Sequence, residues 1–115
     1  LKEMCESSKV NAVINAEDIP LIDGASKYAL NEKNVPGGTK KNYDCFNSVV
    51  QYQTNTQKLN ELQLYDAQTS GGLLISVSKE NADKLLKELK KQECLAYDVI
   101  GEITNKDLSH LIQIK

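Results

Sequence analysis

Two segments of the sequence combine glycine with hydroxyl and amide side chains, which are groups that proteins use to bind anions. They read PGGTKKN (36–42) and DAQTSGG (66–72). Successive backbone N–H groups in a glycine-rich turn can form a concave anion site, so both segments are candidate phosphate-binding segments. A P-loop is excluded, because Gly71 and Gly72 open an apolar run and no lysine follows them. A dinucleotide fingerprint is excluded as well, since no GxGxxG motif follows a predicted strand.

Each segment also has a plain structural interpretation. In DAQTSGG the polar side chains would bond to the local backbone while the glycines adopt left-handed angles. PGGTKKN would be a surface turn inside a predicted loop over NVPGGTKKNYD (34–44), with two solvated lysines. No pairing of a nucleophile with a base is recognisable in the sequence, and the carboxylates are scattered. The residues alone therefore predict no self-contained active site and no catalytic residue.

The cysteines and the histidine argue against a disulfide framework and against a metal site. Cys5, Cys45 and Cys94 are odd in number, widely spaced and without a CxxC motif, as is typical of reduced thiols in a cytoplasmic protein. His110 is the single histidine, and no HxxxH spacing is present. A transition-metal site has little to be built from, and we predict no metal ligand in the chain.

Length and charge restrict the class of protein further. The 115 residues fit one domain covering 1–115, and 14 basic residues against 16 acidic ones leave a formal net charge of −2. Without a basic tract, a nucleic-acid partner is disfavoured. No apolar stretch approaches the roughly 18 residues of a membrane span, so no membrane partner is predicted. The first residues, LKEMCESSKV, read as the end of a helix that lacks a cap, and we expect the chain to be a fragment of a longer protein.

The apolar pattern predicts an α/β or α+β protein with one sheet covered by helices. VNAVIN (10–15) reads as a short strand, and a helix is predicted over about residues 19–32, with Gly24 as a candidate break. The second half gives sharper patterns. The predicted elements there are a buried strand LLISV (73–77), a helix beginning after Ser78 with apolar positions Ala82, Leu85, Leu86 and Leu89, a strand AYDVIGEIT (96–104) and a candidate edge strand HLIQIK (110–115).

Three segments in this order resemble one known family. VPGGTKKN (35–42), DAQTSGGLLISV (66–77) and VIGEI (99–103) are similar to the C-terminal domain of selenophosphate synthetase, also called selenide, water dikinase. This family lies within the aminoimidazole-ribonucleotide-synthetase-related superfamily. The resemblance spans nearly the whole chain. Ala67 departs from it, because the family usually has proline there, which makes the turn slightly less rigid here.

The resemblance implies an enzyme that uses ATP, selenide and water, with Mg²⁺, to make selenophosphate, AMP and phosphate. It also implies a layered, partly ferredoxin-like domain that packs against its own N-terminal ATP-binding domain within a homodimer. The family's selenide-handling residue, its metal-binding aspartates and most ATP contacts belong to that N-terminal part. We therefore expect neither ATP nor Mg²⁺ to be bound by this fragment, which would be inactive alone.

By the same resemblance, the two glycine-containing segments should face the cleft between the domains. The residues expected to line this cleft or face phosphate are Thr39, Asn42, Asp66, Gln68, Thr69, Ser70, Gly71 and Gly72. Two alternatives stay open at this point. The chain is a domain of a related ATP-dependent enzyme with another substrate, or it is a non-catalytic interaction module.

Overall fold

The computed structural model of the chain describes residues 1–53, 58–105 and 109–115. Within them the α-helices are α1 (Lys2–Ser8), α2 (Ala25–Ala29), α3 (Gly37–Phe46), α4 (Lys58–Gln63) and α5 (Lys79–Lys91). The strands are β1 (Asn11–Ile14), β2 (Val50–Tyr52), β3 (Gly101–Thr104) and β4 (Ile112–Ile114). Short 3-10 helices cover Ala16–Asp18, Glu32–Asn34 and Asn47–Val49. The fold is α+β, as the apolar pattern predicts.

The four strands form one mixed sheet in the order β2-β4-β1-β3. β4 is parallel to both of its neighbours, with Ile112 opposite Ala12 of β1 and Val50 of β2. β3 lies antiparallel to β1, with Ile103 opposite Ala12. The candidate edge strand at the end of the chain is therefore an inner strand, and the prediction that it forms an edge is wrong.

The core lies where β1 meets β4. Ile14, Ile112 and Ile114 are each about 5–6% exposed and form one buried cluster. Burying an isoleucine side chain contributes roughly 1.5–3 kcal/mol, so these three side chains are a main source of stability. Packed against them are the partly buried Leu1, Ala16, Ile19, Val50, Tyr52, Leu64 and Leu111.

The predicted helix over about residues 19–32 is much shorter in the structure. α2 covers only Ala25–Ala29, and Gly24 before it has a φ of 84°. An L-residue rarely adopts this angle, so Gly24 is the break that the sequence predicts. The helix after Ser78 is confirmed as α5, with Ser78 at its N-cap and the four apolar positions half-buried, but none of its residues is fully buried.

The prediction of a loop over residues 34–44 is wrong, because α3 begins at Gly37. Pro36 precedes it with extended backbone angles, and the two glycines occupy the first turn, where N–H groups have no intrahelical partner in any sequence. Gly37 and Gly38 lower the intrinsic helix propensity. Contacts made by later residues of the helix, described below, offset that cost.

The prediction of a buried strand at 73–77 is also wrong. The run has no strand partner among the described residues, and Leu73, Leu74, Ile75 and Val77 are 41–89% exposed. An apolar run becomes a strand only where a neighbouring edge accepts its backbone bonds, and none does so here. β3 is likewise shorter than the predicted strand over 96–104.

The glycine of VIGEI has a packing explanation. Gly101 lies in β3 opposite Ile14 of β1. A Cβ atom at this position would overlap the carbonyl oxygen of Val13 and atoms of Ile14. Only glycine allows the two strands to approach this closely, so this residue belongs to the sheet and not to a binding site.

Candidate functional site

α3 presents one polar face to the segment that follows α4. Thr39, Asn42 and Tyr43 stand at i, i+3 and i+4, the spacing that places side chains on one side of a helix. All three are buried or half-buried, whereas Lys40 and Lys41 are exposed. The two glycine-containing segments are therefore in contact, and one helical face makes the contact.

Thr39 joins the two segments most directly. Its hydroxyl donates to Oδ1 of Asp66 at 2.9 Å and accepts from the backbone N–H of Ala67 at 3.3 Å. The residue is only 2% exposed. A hydroxyl that is enclosed and bonded in both directions is not free for a ligand, so Thr39 holds the second segment in place.

Two further residues of α3 hold Tyr65. The side-chain amide of Asn42 donates to the backbone carbonyl of Tyr65 at 3.0 Å. The ring of Tyr43 meets the ring of Tyr65 edge to face, with centroids 5.3 Å apart. Packing is also tight at Gly38, where a Cβ atom would lie 3.0 Å from Cβ of Ala67. We call Tyr65–Ala67 the clamped segment.

Tyr65 also reaches the sheet. The hydroxyl of Tyr52, the last residue of β2, donates to the hydroxyl of Tyr65 at 3.0 Å. Burial raises the pKa of Tyr52 and Tyr65 alike, so both phenols keep their protons well above neutral pH. We call Tyr43, Tyr52 and Tyr65 the tyrosine cluster. The spacing of Thr39, Asn42 and Tyr43 indicates one face of a helix, but the contacts of Tyr65 with Tyr43 and Tyr52 were not predicted from the sequence.

The residues after the clamped segment are open to solvent. Gln68, Thr69, Ser70, Gly71 and Gly72 are all exposed, and we call them the open segment. Gln68 donates to Oδ2 of Asp66 at 3.4 Å. Within the described part of the chain, the hydroxyls of Thr69 and Ser70 and the backbone N–H groups of the open segment donate to no other residue.

The glycines of the open segment do not have the left-handed angles that a simple turn would require. In the described ranges Gly24 is the one glycine with positive φ. A Cβ at Gly72 would meet nothing within 4 Å, and one at Gly71 would meet mainly the end of the Gln68 side chain. Within the described residues, neither a positive φ nor close packing requires Gly71 and Gly72.

The open segment offers hydroxyl and N–H groups of the kind that bind anions. Free hydroxyls and N–H groups suit phosphate oxygens. The Asp66 carboxylate beside them would repel phosphate, so an anion would lie toward Thr69–Gly72. No group of three or more His, Cys, Asp or Glu side chains is placed to hold a metal ion in residues 1–53, 58–105 and 109–115.

The three cysteines differ in exposure: Cys5 is buried, Cys94 is half-buried, and Cys45 on α3 is exposed. All three are free thiols. Cys5 is fully buried, and burial raises the pKa of its thiol, which makes it a poor nucleophile.

In the described ranges, no helix has both the length and the apolar character needed to cross a membrane.

Comparison with known proteins gives a consistent assignment. Residues 1–113 match the family described as AIR synthase related protein, C-terminal domain. Curated relatives include proteins named selenide, water dikinase from Sulfurimonas denitrificans (36% identical over 114 residues) and from Clostridioides difficile (36% over 104). These alignments cover 99% and 90% of this chain but 32% and 30% of the relatives.

The chain thus spans about a third of the length of the curated relatives it matches. The family match, in contrast, covers nearly every residue, and the mixed sheet with helices agrees with it. The chain therefore belongs to the family of C-terminal domains of AIR synthase related proteins.

Proposed function

We propose that the chain is the C-terminal domain of an ATP-dependent selenophosphate synthetase, which makes selenophosphate from selenide, ATP and water. The relatives named selenide, water dikinase support this assignment. In this proposal the domain lines the cleft toward an N-terminal ATP-binding domain of the same protein, within a homodimer. Its free thiols fit a reducing compartment such as the cytoplasm.

One observation carries the assignment of the site. Thr39 of the first segment bonds to Asp66, the first residue of the second, and Asn42 bonds to Tyr65 directly before it, so the two segments are packed together. The open segment that follows the clamped segment is exposed, and its backbone N–H groups and hydroxyls donate to no other residue in the described ranges. If the two segments lay at opposite ends of the molecule, they could not line the same cleft.

The proposed division of labour follows from which groups are present. Thr69 and Ser70, with the backbone of Gly71 and Gly72, would contact phosphate oxygens of the nucleotide and orient them. Thr39, Asn42 and Asp66 would hold that segment in position. ATP supplies the phosphoryl group when bound. Mg²⁺ and the reacting groups would be held by the N-terminal domain, so the isolated chain should not hydrolyse ATP.

The test is a double substitution of the open segment in the full-length enzyme. Thr69→Ala combined with Ser70→Ala should lower the rate of selenophosphate formation by roughly a hundredfold or more, since each of the two lost hydrogen bonds to a charged oxygen contributes about 1.5–3 kcal/mol. Ser26→Ala, at an exposed position of α2, is the matched control and should leave the rate unchanged. Unchanged turnover in the double variant would remove this role from the segment.

A non-catalytic interaction module is the second candidate. The exposed apolar side chains of residues 73–77 favour it, because soluble domains rarely expose such a run without a partner. ATP consumption that depends on selenide, measured with the full-length protein, separates the candidates. Consumption with a different acceptor would instead indicate a related ATP-dependent enzyme of the same superfamily.

A further inference from the structure

We propose that the Tyr52–Tyr65 hydroxyl pair positions the open segment, so that Tyr52 and Tyr65 are positioning residues of the proposed site. This inference rests on the proposed function, because it assigns a role to residues behind the surface that would meet the nucleotide. Both residues lie outside the two glycine-containing segments, although Tyr65 directly precedes the second one.

The orientation of the open segment depends on the residues that precede it. Its chain enters from the clamped segment, and Gln68 is the first residue whose N–H group donates to no other described residue. The direction in which Thr69–Gly72 leave the protein is therefore set by the orientation of Tyr65, Asp66 and Ala67. Whatever holds Tyr65 determines where the free N–H groups point.

Two helices restrain Tyr65: the backbone N–H groups of Tyr65 and Asp66 donate to carbonyls at the end of α4, and side chains of α3 contact Tyr65 itself. Asn42 bonds its carbonyl and Tyr43 packs against its ring, but both belong to the same helix. The Tyr52 hydroxyl adds an anchor on a different element, the sheet, and Tyr52 itself packs against the buried isoleucine cluster. The bond to Tyr52 ties the Tyr65 side chain to the sheet, whereas contacts to the helices alone would let the segment move with them.

The phenol pair is suited to this role because it is enclosed. Both tyrosines are half-buried, where a hydrogen bond is stronger than in water and the loss of a partner is more costly. Tyr52 donates and Tyr65 accepts, so substituting either hydroxyl breaks the same bond. The two single substitutions should then have the same effect, and the double substitution should add little to it.

The first experiment measures amide hydrogen exchange of the 115-residue chain by NMR. Tyr52→Phe should raise the exchange rates of Asp66 and Ala67 by about three- to tenfold, the range expected for one lost hydrogen bond, and leave the amides of β1 and β4 unchanged. Tyr65→Phe and the double variant should match it. Tyr28→Phe, at a mostly exposed tyrosine of α2, is the control. Unchanged rates, additive effects or an equal rise throughout the sheet would each overturn the inference.

The second experiment measures turnover in the full-length enzyme. Tyr52→Phe should reduce selenophosphate formation about threefold or more, whereas Val50→Ala, which weakens the same strand at a residue outside the tyrosine cluster, should leave turnover within twofold. Unchanged turnover in Tyr52→Phe would overturn the positioning role. Failure of the proposed function is recognised separately, because then the Thr69→Ala and Ser70→Ala variant would also be fully active.

Discussion

The clamped segment and the run from Gln68 to Val77 are consecutive in the chain, yet they are held in opposite ways. Tyr65–Ala67 are fixed by side chains of α3 and β2. The residues that follow are exposed, and in the described part of the chain their backbone donors have no partner. Position along a motif therefore does not indicate which residues carry stability and which remain available for contact with another molecule.

The glycines of this chain also differ in whether packing requires them. Gly101 is required by the close approach of two strands, and Gly38 stands against the side chain of Ala67. A Cβ atom at Gly72 would point into open space, and no contact among the described residues requires glycine there. Residues whose type the fold does not explain are the better candidates for contact with a ligand or with another domain.

The largest expected effect compares the same substitution in the sheet and in the exposed run. Ile112→Ala should lower the free energy of unfolding by about 2–5 kcal/mol, because it leaves a cavity in the buried isoleucine cluster. Ile75→Ala, at a residue that is 48% exposed, should change it by less than about 0.5 kcal/mol. Urea unfolding measures both. A large effect at Ile75 would mean that the apolar run is packed after all.

A smaller effect should separate the two threonines. Thr39→Val removes a buried hydroxyl bonded to Asp66 and leaves the Ala67 N–H without its acceptor, so we expect a loss of about 1–3 kcal/mol. Thr69→Val, at an exposed residue with no bond to the described chain, should be within about 0.5 kcal/mol of the parent. Equal effects at both positions, measured by urea unfolding, would contradict the division into clamped and open segments.

The smallest effect concerns the pH dependence of stability. Burial raises the pKa of Tyr52 and Tyr65 in the folded protein, so unfolded phenols lose protons from about pH 10 upward while the folded ones keep them. Stability is therefore fully present below pH 10 and falls as the pH rises above it. The contribution of one phenol is below about 1.4 kcal/mol per pH unit, and solvent screening of these half-exposed groups reduces it further.

Tyr52→Phe should accordingly show a shallower decline than the parent between pH 10 and pH 11. Tyr28→Phe should keep the full decline, because the Tyr28 side chain is 64% exposed and reaches solvent in both states. Denaturant titrations at several pH values give the slopes. Identical slopes for the parent and Tyr52→Phe would indicate that the phenol pair is as accessible in the folded protein as in the unfolded one.

Much of the fold could be predicted from periodicity, and its failures have definite causes. α1, β1 and α5 follow patterns that are complete within a few residues, and the α+β class follows from them. α3 was missed because two glycines and a proline conceal a helix that tertiary contacts stabilise. The run LLISV has the composition of a strand, but pairing depends on a neighbouring edge that the local sequence does not specify.

The candidate site could be predicted only in part, because its contacts join residues that lie far apart in the sequence. The two glycine-containing segments could be singled out by their residue types, but the bonds that join them cross 23 to 28 positions of sequence. Thr39 was expected to line the cleft or face phosphate, which stays a prediction, but its bonds to Asp66 and Ala67 could not be predicted from the sequence. Tyr52 gave no local sign of its role, because a tyrosine at the end of a short strand is usually read as part of a core.

The place of β4 in the sheet has a consequence for biosynthesis. Ile112–Ile114 come last among the strands in chain order, yet they lie between β1 and β2 and are the link that joins them. While the polypeptide emerges from the ribosome, β1 can pair with β3 before β4 is made, whereas β2 has no neighbour among the described strands until β4 follows. The sheet is thus joined only when β4 inserts between two strands that were made before it.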